Sequence, residues 1–341
     1  MNPAGTTDAA RPGTGTAIEA EALEKTFSSR GRAVKAVDRL SFTVAAGEIF
    51  GLLEPNGAGK TTTMRMLTTL LPIDSGRATI AGVDVAARPG EVRWHLGYVS
   101  QSGGADIMAT GRENLALQGA LYGLSRAELR RRVPELLALL DLEAIADRRV
   151  RTYSGGQRRR LDVALGIVHA PEVLFLDEPS TGLDPQNRAH LWDHVRGLTA
   201  RGTTVVLTTH YLEEADALCD RVVIVDGGRI VAQGKPAQLK ASVAATSIAL
   251  AFHTADQAAQ AERALGTPPW LTDVAVEDNS LRVHSDSGSR VLPELLRAID
   301  GAGLEIASLA LTEASLDDVF LAATGRSLRD TAAPSTGKGR P

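Results

Sequence analysis

The stretch Pro55-Asn56-Gly57-Ala58-Gly59-Lys60-Thr61 restricts this chain more than any other, because an apolar run, Glu48 to Leu53, precedes it and a helix-forming run, Gly59 to Leu70, follows. A glycine-rich turn between a buried strand and a helix lets backbone N–H groups approach phosphate oxygens. Lys60 adds a point charge, and the Thr61 hydroxyl offers an oxygen ligand for Mg²⁺. Two more apolar runs, Val173 to Leu176 and Thr204 to Thr208, read as buried parallel strands. Strands and helices alternate, so the core is expected to be α/β.

One position departs from the phosphate-loop pattern. Where G-x-x-x-x-G-K-[ST] places its first glycine, this chain has Glu54. A carboxylate ~4 Å from a phosphate charge, at an effective dielectric of about 20, costs on the order of 4 kcal/mol. Glu54 must therefore point away from the nucleotide, or binding must be weak.

The run Val173-Leu174-Phe175-Leu176-Asp177-Glu178 places two carboxylates at the carboxyl end of a buried strand, where open parallel sheets hold their ligands. Asp177 suits a Mg²⁺ ion held through water, and Glu178 suits orienting or deprotonating an attacking water. Gln101 ends the strand-like Leu96 to Ser100 and His210 ends Thr204 to Thr209, so both fall at the same edge. A neutral histidine there can hydrogen-bond a terminal phosphate and sense its loss.

A second anion site is legible at Ser154-Gly155-Gly156-Gln157. Ser154 reads as the N-cap of a helix through Leu161, and the glycines leave its first N–H groups open to a phosphate presented from outside. Arg158 to Arg160 are expected on a solvated or ion-paired face of that helix.

At 341 residues the chain suits one large domain plus an appendage. A net charge of -4 gives no electrostatic footprint for nucleic acid, so DNA and RNA are discounted as main partners. No run approaches the roughly 20 apolar residues of a membrane span, and a cytosolic, soluble chain is expected. The single cysteine, Cys219, reads as a buried structural thiol.

Residues 1–16 and 327–341 are small and polar, and read as disordered tails. Between them we expect a nucleotide-binding domain over 17–240 and an accessory domain over 245–326. Within the first, strand signals vanish from Thr110 to Arg149, which reads as a helical insertion of about residues 105–152. Ser125 with Glu128 forms a capping box there, and Pro134 predicts a kink or restart in the second helix. Arg221 to Ile230 reads as a hairpin around Asp226-Gly227-Gly228. In the accessory domain a strand over Ser247 to His253, a helix to Leu265, a hairpin around Glu277 to Ser280, a helix over Val291 to Ile299 and a strand over Leu304 to Leu311 predict a small ferredoxin-like α+β fold.

Taken in order, Gly57-Ala58-Gly59-Lys60-Thr61, Gln101, Ser154-Gly155-Gly156-Gln157, Leu176-Asp177-Glu178-Pro179, Ser180-Thr181-Gly182-Leu183-Asp184 and His210 resemble the ATPase subunit of an ABC transporter. The resemblance covers roughly residues 17 to 235. It implies a P-loop NTPase core of the ABC type, with an antiparallel β subdomain and a helical subdomain. It further implies that Phe27 stacks on adenine and that Pro55, Asn56, Gly57, Ala58, Gly59, Lys60, Thr61 and Thr62 hold the nucleotide. Thr61, Gln101 and Asp177 would then hold Mg²⁺, with Gln101 also facing the membrane subunit. Glu178, His210 and Lys60 would act in catalysis, and Asp184 would lie in a loop crossing a dimer interface.

In that family two subunits close head to tail, so that Ser154, Gly155, Gly156 and Gln157 of one cover the γ-phosphate of ATP held by Lys60 of the other. The resemblance thus implies two partners: a second copy and separately encoded transmembrane permease subunits, which would hold the chain on the cytoplasmic face of the membrane. The appendage and Ser315 to Arg326 resemble the C-terminal region of daunorubicin-resistance-type efflux ATPases. Tyr153 stands where the signature usually has leucine. Two other readings stay open: a soluble ABC-type ATPase acting on the ribosome or DNA, and a weakly hydrolysing regulatory module carrying Glu54.

Overall fold

The computed structural model describes residues 15–29, 32–53, 60–243, 246–285, 288–312 and 315–324, and these divide into two compact units at Gln233–Gly234. In the first, β1 (Thr16–Ser29) pairs antiparallel with β2 (Arg32–Ala45), and β3 (Ile49–Leu53) leads towards α1 (Lys60–Leu67). Next come β4 (Ser75–Ile80), β5 (Val83–Asp84), α2 (Pro89–His95) and β6 (Leu96–Val99). Two helices, α3 (Gly111–Leu121) and α4 (Arg126–Leu139), then replace the strands. The remainder is α5 (Gly155–Gly166), β7 (Val173–Asp177), α6 (Pro185–Thr199), β8 (Thr204–Thr209), α7 (Leu212–Leu218), β9 (Arg221–Asp226) and β10 (Arg229–Gly234).

Two sheets result, in the orders β2-β1-β4-β5 and β10-β9-β3-β8-β7-β6. In the second, β9, β3, β8, β7 and β6 run parallel. Their central strands are apolar on both faces: every residue of β3 and β7 is buried. Parallel sheets demand this, since helices or a second layer cover each face. Here α1 supplies Met64, Met66 and Leu67, which join Leu23, Leu40 and Phe42 of the antiparallel sheet and Phe50 and Phe175 of the parallel one in one core. Phe42 stacks on Phe50 with ring centroids 5.3 Å apart.

Both insertion helices start on capping boxes. Thr110 and Glu113 exchange side-chain and backbone hydrogen bonds at α3, and Ser125 and Glu128 do so at α4. The restart expected at Pro134 does not occur, for α4 runs unbroken from Arg126 to Leu139. Pro134 lies on the exposed side, where water can satisfy the carbonyl that loses its donor, while Val133, Leu136 and Leu137 bury the other side. The turn between β9 and β10 uses Gly227 and Gly228 at φ 55° and 79°, the left-handed pair that a two-residue hairpin requires.

The second unit opens with α8 (Pro236–Val243) and continues through β11 (Thr246–Ala251), α9 (Ala255–Leu265), β12 (Asp273–Glu277) and β13 (Ser280–Ser285). It ends with α10 (Leu292–Gly301), β14 (Ser308–Thr312) and α11 (Leu316–Thr324). Its sheet has the order β12-β13-β11-β14 with every pairing antiparallel, which is the ferredoxin-like arrangement. Ile248 and Leu250 alternate inward along β11 and meet Ala258, Ala261 and Leu265 of α9 and Leu295 and Ile299 of α10. The last strand starts at Ser308, four residues later than the apolar pattern suggests, because Leu304 is spent in the core beneath the α10 terminus.

Candidate functional site

Register brings the distant motifs to one edge. Val99 lies opposite Leu176, Asp177 opposite Thr208, and Leu53 opposite Thr209. Whatever follows each strand therefore emerges together: Gln101 after β6, Glu178 after β7, His210 after β8.

These residues meet at one oxygen. Glu178 Oε2 accepts from Gln101 Nε2 at 2.8 Å and from Thr181 Oγ1 at 3.1 Å, and His210 Nδ1 lies 3.4 Å away. The His210 contact is close but poorly aligned, since its buried Nδ1 completes no hydrogen bond. Glu178 holds a left-handed backbone at φ 46°, which costs a non-glycine residue energy and concentrates at functional positions. Its N–H donates to the carbonyl and hydroxyl oxygens of Thr208, both at 3.1 Å.

Asp177 is set from the other side. Its buried carboxylate accepts from Thr208 Oγ1 at 2.6 Å and from Tyr98 Oη at 3.2 Å. Burial, with the Asp177 charge beside it, pushes the Tyr98 phenol up to about 12. Tyr98 thus stays a donor at neutral pH. The carboxylate keeps lone pairs for a further partner, since each oxygen has two.

Arg159 corrects the expectation of a solvated arginine face. It is buried, and its guanidinium donates to the carbonyls of Asp177 at 2.9 Å, Pro179 at 2.8 Å and Ser100 at 2.7 Å. Burial lowers its pKa, opposed by the charges of Asp162, Asp177 and Glu214. The planar fork suits this task, and one side chain thereby clamps α5 to the ends of β6 and β7. Gly97 permits the approach, because a Cβ there would stand 2.0 Å from the carbonyl oxygen of Gly166 in α5.

Clamped in this way, α5 presents its N-terminus outward. Ser154 and Gly155 are exposed. Ser154 Oγ accepts from Gln157 N at 3.2 Å, and Gln157 Oε1 accepts from Ser154 N at 2.9 Å. The Gln157 amide is therefore engaged in the cap. Gly156 is packed so tightly that a Cβ would lie 2.2 Å from Asn187 Oδ1. Asn187 in turn binds Asp184, the N-cap of α6, through Nδ2 at 2.6 Å and its own N–H at 2.9 Å. The Ser154 turn and Asp184 thus share one surface. Tyr153 fills the leucine position by burial, its hydroxyl donating to the Ile145 carbonyl at 2.7 Å.

Other expected residues are placed less fully. Lys60, Thr61 and Thr62 form the first turn of α1, whereas Glu54, Pro55, Asn56, Gly57, Ala58 and Gly59 lie outside the described residues. Phe27 is 40% exposed on β1, with Lys25 Nζ 5.8 Å above its ring. Cys219 is buried, as its reading required.

Tyr98, Thr208 and Arg159 escaped the sequence reading. For Arg159 a signal existed: Gly156, Arg159, Val163 and Gly166 form one buried stripe at helical spacing. Thr208 could be recognised only from its register opposite Asp177.

Residues 37–181 match the ABC transporter family, and residues 234–324 match the C-terminal domain of DrrA1-3-like ATP-binding proteins. The chain is 45% identical to the daunorubicin/doxorubicin resistance ATP-binding protein DrrA of Streptomyces peucetius, over 92% of this chain and 94% of that one. It is 40% identical to the Nod factor export ATP-binding protein I of Paraburkholderia xenovorans, over 92% and 99%. It is 34% identical to the linearmycin resistance ATP-binding protein LnrL of Bacillus subtilis, over 92% and 100%. Among solved structures, the ATP-binding subunit of an ABC transporter superposes with a TM-score of 0.59 at 29% identity, covering 67% of this chain and 93% of that one. A dimeric ATP-binding cassette in a post-hydrolysis state, bound to ADP and Pi, shares the fold at 23% identity and a TM-score of 0.59, covering 64% and 98%. With its motifs in order along a matching fold, the chain belongs to the ATP-binding subunits of ABC transporters, and among them to the daunorubicin/doxorubicin-resistance type.

Proposed function

We propose that this chain hydrolyses ATP to power the export of drug-like or antibiotic-like compounds, as one of a head-to-tail pair docked on separately encoded membrane subunits. The names of its relatives support the cargo class: daunorubicin, doxorubicin and linearmycin resistance. Among the described residues no helix is long and apolar enough to cross a membrane. The reading assigns that passage to the permease and places the chain at the cytoplasmic face through it.

What carries the catalytic reading is the meeting of Gln101, Thr181 and His210 around Glu178 Oε2. Gln101 and Thr181 hold the carboxylate by hydrogen bonds and His210 stands beside it, as a base acting on a positioned water requires. In this reading Lys60 and the N–H groups of Gly57 to Thr61 bind the phosphates of ATP, and Phe27 stacks on its base. The His210 ring contacts the terminal phosphate. Ser154, Gly155 and Gly156 of the partner copy approach that phosphate from the opposite side, and Asp184 lies beside them at the interface. The Asp177 carboxylate, fixed by Thr208 and Tyr98, would hold Mg²⁺ together with Thr61 and Gln101, whose oxygens are the donors that ion prefers. When bound, Mg²⁺ would neutralise charge on the phosphate oxygens.

Affinity capture from membranes of a strain that encodes this chain tests the reading. The expected result is co-purification of an integral membrane protein and loss of efflux of an anthracycline-type probe when the pair is deleted. Recovery with ribosomes or DNA, with efflux intact, would overturn it.

Glu54 yields a separate prediction. Glu54→Gly should change ATP affinity by less than about fivefold, measured by equilibrium binding of a fluorescent ATP analogue. A tenfold gain or more would show repulsion of the order that Coulomb's law allows at that distance.

A further inference from the structure

Away from the nucleotide edge, one cluster of side chains has the donor set of a metal centre. His190 and His194 stand one turn apart on α6, and Asp141 follows the C-cap of α4 with φ 52°. Asp141 Oδ2 lies 2.9 Å from His190 Nε2 and 3.4 Å from His194 Nε2. All three ligand atoms fall within 4.8 Å of one another. Donors around a tetrahedral ion with bonds of ~2.0–2.2 Å stand about 3.4 Å apart, so small adjustments seat these three on one ion.

A second observation concerns His194 alone. Its side chain is 10% exposed, and its Nε2 is buried without a hydrogen-bond partner. That atom faces Asp141 Oδ2 at 3.4 Å without hydrogen-bond alignment. In the Nδ1–H tautomer Nε2 carries a lone pair towards the carboxylate oxygen, and two lone pairs so placed with no proton between them call for a cation.

We propose that Asp141, His190 and His194 form a binding site for a borderline divalent transition metal of the Zn²⁺ class, completed by water. Two imidazole nitrogens favour Zn²⁺ over Mg²⁺ or Ca²⁺, which prefer oxygen donors. The site would join the end of the helical insertion to α6, the helix that starts at Asp184. Metal occupancy would thus tie the insertion to the element carrying the expected dimer contact.

Arg160 is the built-in competitor. Its Nη1 lies 2.6 Å from His190 Nδ1. A guanidinium only donates, so Nδ1 accepts and the proton of neutral His190 sits on Nε2, where it donates to Asp141. Metal binding moves that proton to Nδ1 and displaces Arg160. In Arg160→Gln the amide oxygen can accept from Nδ1–H, the arrangement that raises metal affinity.

The test uses the full chain without nucleotide, titrated with ZnCl₂ by calorimetry and with CoCl₂ by visible absorption. The expected result is one Zn²⁺ per chain and the intense bands of tetrahedral Co²⁺. Affinity should fall on the order of a hundredfold in His194→Ala and Asp141→Asn, and rise about tenfold in Arg160→Gln. Absence of Zn²⁺ binding in the parent overturns the proposal, as does equal binding by the parent, His194→Ala and Arg160→Gln. The gain in Arg160→Gln keeps the test decisive even if a ligand variant folds poorly.

Discussion

Glu178→Gln should lower the steady-state rate of ATP hydrolysis by about a thousandfold while leaving ATP affinity within about threefold of the parent. The size follows from the range for removing a general base, ~10² to 10⁴. The selectivity follows from geometry, since Gln101 and Thr181 donate to Glu178 Oε2, and an amide oxygen at that point keeps both bonds. The variant changes proton affinity and little else. Phosphate release from the purified chain, beside Lys60→Ala as a background control, gives the rate. Hydrolysis by Glu178→Gln at the parent rate would remove Glu178 from the role of base.

The second large effect is on folding. Arg159→Met should destabilise the nucleotide-binding unit by about 4 kcal/mol, because the carbonyls of Asp177 and Pro179 lose this donor, each buried unsatisfied group costing ~1–3 kcal/mol, while the Ser100 carbonyl keeps its bond from Gly103 N. Asp177 and Asp162 also lose the positive charge facing them. For a unit of this size the thermal midpoint should fall by roughly 10 °C. Arg158→Met is the matched control. Arg158 is exposed and among the described residues its guanidinium reaches the Tyr153 carbonyl alone, at 3.3 Å, so its loss should cost no more than about 1 kcal/mol. Equal midpoints for the two variants, by circular dichroism at 222 nm, would contradict the clamp.

These two residues show what could be read from the chain and what could not. Glu178 was legible because an apolar strand ending in two carboxylates is a local pattern, and strand ends in parallel sheets are where ligands bind. Gln101 and His210 were legible for the same reason, each ending its own strand. Their meeting on one oxygen was not local. It depends on β6, β7 and β8 being neighbours in a fixed register, and Thr208 opposite Asp177 belongs to that hidden layer. Arg159 was misread because charge outweighed position: it sits within a buried stripe, but a run of three arginines looks solvated. The restart expected at Pro134 failed for the converse reason, a local rule applied where an exposed helix face tolerates the lost hydrogen bond. The ferredoxin-like order of the second unit was legible in outline, since alternation along β11 and the helical spacing of α9 and α10 each stand in the sequence.

The proposed function requires composite sites shared by two copies of the chain, the exposed N-terminus of α5 of one meeting the ATP held by the other. Sedimentation velocity of Glu178→Gln with ATP, with ADP and without nucleotide tests this most directly. A dimer is expected with ATP alone, abolished by adding Ser154→Arg. A monomer in all three conditions, or a dimer indifferent to nucleotide and to Ser154, would contradict it.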